Sequence, residues 1–525
     1  MKFFIQPWRK KAPASKPLTA RLTTNGWNDY NFITLHFLTV FDVEGEEHDI
    51  GQIKIGQLGQ RPDTVRTDTP HEFDNLPERF FSLGQSDTFY SNLRQLGNEL
   101  NDLILGALQD IAYSQESYER AIEEEVTQRS LLRDITVLTV QGQFRRLARG
   151  GERLSRYQFA YQLPTIGRRR RDSPPPVVLA FDVLPESNPP TNVHVVIGRN
   201  GVGKTHLLQG MTQALVSNSS SANGSGIFLT QRKAAAREGL FANVVSVTFS
   251  AFDPFDPLPD NQVEVPGLKY AYVGLKQQPG SESNSGRLKS QLDLQDEFAS
   301  SLRACRRKAR LDRLRRAVAA LETDPVFRDN GIRELLAQTG SDAELSLASP
   351  ATERRVSTEA AKWFSRLSSG HKIVLLTIVR LVETVEERTL VLLDEPEAHL
   401  HPPLLAAFVR ALSDLLVNRN GVAIIATHSP VVLQEVPKNC VWKLRRHGTT
   451  LLAERPEMET FGENVGTLTR EVFGLEVTEA GFHQLLREAV REQGDYAAVV
   501  EQFSGQLGME ARALVRALTT TQNNR

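Results

Sequence analysis

Four short, largely apolar runs, Val193–Ile197, Val244–Val247, Thr389–Leu393 and Val422–Ala426, are spaced through the middle of the chain. Each has strand length, and the lack of polar alternation predicts strands covered on both faces, as in a parallel sheet. Between them the period changes. Leu207, Leu208, Met211 and Leu215 recur at helical spacing, as do Ile373, Leu375, Leu376, Ile378, Val379 and Val382. A longer helix is predicted from about Gln291 to Leu321, with Leu302, Leu311, Leu314, Val318 and Leu321 on its apolar side. The first 150 residues read differently. Phe32–Leu38 and Ile50–Ile55 predict two strands around the polar turn Glu44–Glu47. They are followed by an amphipathic helix marked by Leu93, Leu96, Leu100, Leu103, Ile104 and Ala107, and by a more charged one from Tyr118 to Glu125. After Phe461–Val465 the chain predicts further helices, among them Phe482–Val490 and Tyr496–Phe503.

These patterns predict an α/β fold divided into three parts. Residues 1–150 form an N-terminal α+β accessory or docking domain, and residues 151–455 hold a mixed central sheet with a helical, partly basic insertion at about 255–350. Residues 456–525 form a helical extension. The polar stretches Ser217–Gly226 and Gln277–Gly286 read as loops, and Phe249–Pro259 as an aromatic, proline-rich turn region.

Bulk composition changes this picture little. A formal net charge of −1 over 525 residues gives no global attraction to nucleic acid, so any such contact is local. Two local candidates exist: the helix bearing Arg303, Arg306, Arg307, Lys308, Arg310, Arg313, Arg315 and Arg316, opposed only by Asp312, and the loop Arg168–Arg171 before Ser173–Pro176. Either suits DNA, RNA or an acidic partner, or a solvated face paired to acids elsewhere. Cys305 and Cys440 stand far apart, without metal-ligand spacing. No run of about 18 apolar residues occurs, which predicts a cytoplasmic protein with no membrane association.

The chemistry is concentrated at the ends of the apolar runs. Gly198-Arg199-Asn200-Gly201-Val202-Gly203-Lys204-Thr205-His206 follows the first run and opens a helix. Glycines there let backbone N–H groups curl around phosphate oxygens, the helix N-terminus adds positive potential, Lys204 reaches the β- and γ-phosphates, and Thr205 is placed to ligate Mg²⁺. Ser368-Ser369-Gly370-His371 opens a later helix, with Ser368 as its cap. Asp394-Glu395-Pro396 ends the third run, giving one carboxylate for metal and one for water beside the phosphates. The fourth run delivers His428 at its end.

In this order the four motifs resemble the nucleotide-binding module of the ABC ATPase superfamily, with its Walker A, signature, Walker B and switch histidine. The wording Asp394-Glu395-Pro396-Glu397-Ala398-His399-Leu400-His401-Pro402, followed by Ala426-Thr427-His428-Ser429-Pro430, looks like the soluble SMC/RecF-like branch. Within that branch it is similar to ATPases of bacterial anti-phage defence systems, including Septu-type ATPases. The resemblance covers about residues 150 to 455 and implies a P-loop NTPase fold with an ABC ATPase head, ATP and Mg²⁺ as cofactors, and ATP hydrolysis. It assigns Lys204, Glu395 and His428 to catalysis, Thr205 and Asp394 to the metal, and Gly198 to His206 with Ser368, Ser369 and Gly370 to ATP. Ser369 and His371 depart from the usual signature, and no glutamine follows Val244–Val247, where Asp253 is the nearest substitute.

The superfamily closes ATP between two protomers, so the resemblance implies a homodimer or higher homo-oligomer. Its defence members imply control of an operon-encoded effector such as a nuclease. A DNA-repair clamp acting directly on DNA, an OLD-like nuclease and a transporter subunit are the alternatives. The tail after Pro430 offers no closely spaced carboxylate set of the kind two-metal cleavage uses.

Overall fold

The computed structural model describes all residues except 8–16, 63–65, 151–155, 165–175, 186, 218–224, 230–239, 251–254, 260–262, 264, 266–267, 279–286, 306–307, 330, 338–349, 418, 449, 475–480 and 524–525. Arg168–Arg171, Asp253, Arg306 and Arg307 therefore lie outside the described residues.

The N-terminal segment builds a six-stranded sheet from β1 (Lys2–Pro7), β2 (Thr19–Thr24), β3 (Leu35–Phe41), β4 (Glu47–Gln57), β5 (Glu72–Phe73) and β6 (Phe80–Gly84), in the order β5-β1-β2-β3-β4-β6. Two of these strands, β3 and β4, correspond to the predicted pair. The apolar stripe from Leu93 to Ala107 is not one helix but two, Asp87–Gln95 and Asn98–Ala107. The break falls at Gly97, whose φ of +99° no helix accommodates. One buried cluster runs from Phe3 to Ala148 beneath these elements.

The middle of the chain supplies a three-stranded antiparallel sheet, β7 (Tyr157–Gln162), β8 (Val178–Val183) and β10 (Ile227–Leu229). It also supplies the central sheet: β9 (Val193–Gly198), β11 (Asn243–Thr248), β12 (Lys269–Gly274), β13 (Thr389–Asp394), β14 (Val422–Thr427), β15 (Val441–His447) and β16 (Thr450–Glu454). Its order is β12-β11-β13-β14-β9-β15-β16, parallel throughout except for the final β15–β16 hairpin. The mixed α/β class follows directly, and all four apolar runs are strands of this one sheet.

Strand alternation sorts the helices. Val195, Ile197, Val245, Val391, Leu393, Ala423 and Ile425 join a core with the helix Ser369–Thr384. Val196, Val244, Leu390, Leu392, Ile424 and Ala426 point the other way, onto Leu207, Leu208 and Met211 of the helix Lys204–Val216. The helices opened by the phosphate loop and by Ser368 therefore cover opposite faces of the sheet.

The predicted helix over 291–321 is two helices, Gln291–Ala304 and Lys308–Leu321, with Cys305 capping the first. Leu302, Leu311, Leu314, Val318 and Leu321 are buried as their spacing predicts. Several of the arginines in this segment are engaged within the chain. Arg310 lies 3.7 Å from Asp134, Arg313 donates to the Val385 carbonyl at 3.2 Å, and Arg315 lies 3.4 Å from Asp312. Burial holds the Arg313 guanidinium well below its ordinary pKa.

The N-terminal sheet and helices dock on the turns that enter β13 and β14. Glu386 accepts from the Thr136 N–H at 3.0 Å, Glu387 pairs with Arg146 at 3.0 Å, and Arg419 reaches Asp87 at 3.3 Å and Gln143 at 3.3 Å. These contacts lie at the opposite ends of the strands from Asp394 and Thr427. At the C-terminus, the helices Phe482–Gln493, Tyr496–Gln502 and Met509–Asn523 close around Leu486, Val490, Val499 and Val515. Among the described residues no helix is long and apolar enough to cross a membrane.

Candidate nucleotide site

Gly198 is the last residue of β9, and a Cβ there would sit 2.6 Å from the Leu444 carbonyl oxygen of β15. That backbone contact requires glycine. Gly201 and Gly203 have φ values of +76° and +109°, and Gly203 caps the helix Lys204–Val216. A glycine-rich loop that turns in this way into a helix N-terminus is the kind that binds phosphate. Lys204 is buried and donates to the carbonyls of Gly198 at 3.0 Å and Arg199 at 3.2 Å. Thr205 follows in the first helical turn, and the exposed ring of His206 meets Phe255 edge-on at 4.9 Å.

Because β14 lies between β9 and β13, three strand ends converge. Asp394 ends β13. Glu395 follows in a left-handed conformation, φ +44° and ψ +57°, that costs a non-glycine residue about 1–3 kcal/mol. Its N–H donates to the Ala426 carbonyl at 2.9 Å, extending the β13–β14 pairing and fixing the bend. The Glu395 carboxylate then stands 3.6 Å from Lys204 Nζ and 3.8 Å from His428 Nδ1. It is one-third exposed, so water reaches it. Thr205 carries a hydroxyl and Asp394 a carboxylate, both hard oxygen donors of the kind that Mg²⁺ takes.

Glu397 was quoted above only as part of a motif, yet it is the most engaged residue of the turn. Its Oε1 accepts from Thr427 Oγ1 at 2.5 Å and from the His428 N–H at 2.7 Å, and lies 3.1 Å from His428 Nδ1. Arg446 on β15 was also missed. Its Nη2 donates to the Val202 carbonyl at 3.1 Å, bracing the phosphate loop. Neither has a local signal in sequence beyond being an acid three residues after Asp394 or a base in a late strand.

Ser368 caps the helix Ser369–Thr384, and its Oγ lies 2.5 Å from His371 Nδ1. Burial lowers the pKa of His371, against the opposing pull of Asp324. Gly370 is pressed against the turn after β13, where a Cβ would meet the His399 carbonyl at 2.7 Å. Within one chain Lys204, Glu395 and His428 come together, whereas Ser368, Ser369 and Gly370 start the helix on the other face of the sheet.

The parallel sheet, the glycine loop capping a helix, and the Asp-Glu pair at the end of the strand beyond β14 define a P-loop NTPase fold. Residues 193–434 match the family model described as AAA domain, putative AbiEii toxin, Type IV TA system. The chain is 41% identical over 520 residues to protein ea59 of Escherichia phage lambda, with 96% of each chain covered, and it belongs to that protein's family. Solved structures with weaker similarity include an inward-facing putative metal-chelate type ABC transporter, 13% identical over 60% of this chain and 89% of that one, with a TM-score of 0.26. A second is the ADP conformation of an ATP-binding cassette of an ABC transporter, 12% identical over 62% of this chain and all of that one, with a TM-score of 0.29.

Proposed function

We propose that this chain binds ATP with Mg²⁺, dimerises around it and hydrolyses it, acting as a switch that controls a separate effector such as a nuclease. The meeting of Lys204, Glu395 and His428 at 3.6 and 3.8 Å is the observation that carries the reading. Phosphoryl transfer needs positioning and charge neutralisation, and these groups supply both. Lys204 and the loop amides bind the β- and γ-phosphates. Thr205 and Asp394 would hold Mg²⁺, which when bound neutralises charge on the phosphate oxygens. Glu395 orients the attacking water, and His428 contacts the γ-phosphate.

Ser368, Ser369 and Gly370 of a second copy complete the pocket. The placement of their helix on the face of the sheet opposite the phosphate-loop helix supports this. A role in anti-phage defence is supported by the toxin–antitoxin description of the matching family model. ATP hydrolysis by the purified chain, with Lys204→Ala as the control that loses nucleotide binding, tests the enzymatic part. Co-purification with products of neighbouring genes tests the effector.

A further inference from the structure

In the N-terminal domain, the Asp29 N–H donates to the Phe32 carbonyl at 2.8 Å and the Phe32 N–H to the Asp29 carbonyl at 3.0 Å, which makes Tyr30-Asn31 the tip of a two-residue turn. Both tip residues are left-handed, with φ values of +49° and +71°. Asparagine takes that conformation readily and a bulky residue does not, so the tip displays an aromatic ring where glycine or asparagine is the easier choice. Tyr30 is 66% exposed, and Trp27, three residues earlier, is 42% exposed.

Beneath the two rings the chain is fixed. The carboxylate of Asp29 is buried, and it accepts from Trp27 Nε1 at 2.8 Å and Ser130 Oγ at 3.2 Å, lies 2.6 Å from Lys54 Nζ, and binds the Arg133 guanidinium. That guanidinium lies 5.1 Å from the centroid of the Tyr30 ring and 6.0 Å from that of Trp27, within cation–π reach of both. The next residue, Asp134, stands 3.7 Å from Arg310, which sets the rings beside the basic helix Lys308–Leu321. Lys54, Arg133 and Arg310 face Asp29 and Asp134, so these five groups leave a positive surplus.

We infer that Trp27, Tyr30 and Arg133 form a platform on which unpaired bases of a single-stranded nucleic acid stack, with its phosphates drawn to the cations of this seam. Aromatic rings beside a guanidinium accept any base, because every base presents a π-face, and positive charge tracks the backbone. The centre of a protein interface is instead apolar and poor in charge. Here the rings are flanked by the exposed Gly26, Asn28 and Asn31 and stand over a cluster of lysine, arginine and aspartate. The inference does not depend on ATP, since the platform belongs to the domain that docks at the strand ends away from Asp394 and Thr427.

Fluorescence anisotropy of labelled oligo-dT and oligo-U strands of about 12 nucleotides, titrated with the full chain at low salt and without ATP, tests it. At least one strand is expected to bind. Tyr30→Ala and Trp27→Ala each weaken that binding by about 5- to 150-fold, the scale of one lost stacked base, while Trp27→Phe keeps a ring and stays near parental. An oligo-dT·oligo-dA duplex, whose bases already stack on one another, binds more weakly and is unaffected by Tyr30→Ala. The Tyr30 side chain stands mostly in water, so Tyr30→Ala keeps the parental denaturation midpoint. A parent chain that binds neither strand, which needs no variant to fold, overturns the inference. So does a Tyr30→Ala variant that binds at parental affinity, or one that loses single strand and duplex equally. A protein that co-purifies with the parent and is lost in Tyr30→Ala, with neither strand bound, assigns the platform to a protein partner and overturns it as well.

Discussion

Lys204 Nζ and Glu395 Oε1 stand 3.6 Å apart, one from the first turn after the phosphate loop and the other from the bend after β13. The lysine that would meet phosphate and the carboxylate that would orient water therefore share one electrostatic environment before nucleotide arrives. In the proposed function, ATP would give Lys204 a stronger anionic partner and free Glu395 for water.

Replacing Glu395 by Gln keeps the shape of the bend and removes the charge. The expected result is ATP binding at close to parental affinity with kcat lower by about 100-fold or more, the scale of a lost proton-accepting group. Hydrolysis at the parental rate contradicts the assignment.

Gly198→Ala places a methyl group 2.6 Å from the Leu444 carbonyl, where the neighbour is backbone of an adjacent strand and has little room to yield. Overpacking of this kind costs about 1–3 kcal/mol. A lower denaturation midpoint together with weaker nucleotide binding is expected. By contrast, Gly201→Ala meets nothing within 4 Å, and its effect comes only from the φ of +76°.

The site motifs are legible in the sequence because each lies within a few residues at the end of an apolar strand. Val193–Ile197 followed by Gly198–Thr205 needs no tertiary information. The rest is non-local. The bond from the His428 N–H to Glu397 joins the turn after β13 to the residue after β14, with the helix Pro402–Val417 between them in sequence. The division of the Leu93–Ala107 stripe at Gly97 is a backbone decision that the apolar spacing does not record. The basic helix reads in sequence equally as an anion patch or as a face paired to acids elsewhere; Arg310 lies by Asp134 and Arg313 donates to the Val385 carbonyl, contacts that no local pattern records.

The Arg419–Asp87 pair tests the docking of the N-terminal domain. Both side chains are at least nine-tenths buried, and Asp87→Ala leaves the guanidinium without that carboxylate. Breaking a buried pair from one side costs about 3–5 kcal/mol. Denaturant unfolding of the full chain is expected to show a loss of that order, or the early release of one domain as a separate transition. An unchanged curve means that the docking does not depend on this pair.

Acid sensitivity has a predicted window. Burial lowers His194 to about 3 and His36 to about 4, from an ordinary value of 6.5. A depressed folded-state pKa means that their contribution is complete above about pH 6.5 and is lost as pH falls toward 4 and 3. Asp110, raised by burial to about 6, works with the opposite sign: its contribution is full below about pH 4 and lost as pH rises through 6. The net slope is therefore two histidines against one carboxyl. Midpoints measured from pH 7.5 to 4 should fall, and His194→Leu should flatten the fall. An acid limb that is identical in His194→Leu contradicts this origin.

The central claim is that two copies close around ATP, each supplying its Ser368 turn to the other's phosphate loop. Sedimentation velocity of Glu395→Gln with Mg²⁺ and ATP tests it most directly. The prediction is a doubling of the 58.6 kDa chain mass that needs nucleotide and disappears in the Glu395→Gln, Ser368→Arg double variant. A species whose mass is the same with and without ATP, and the same with and without the Ser368 substitution, contradicts it.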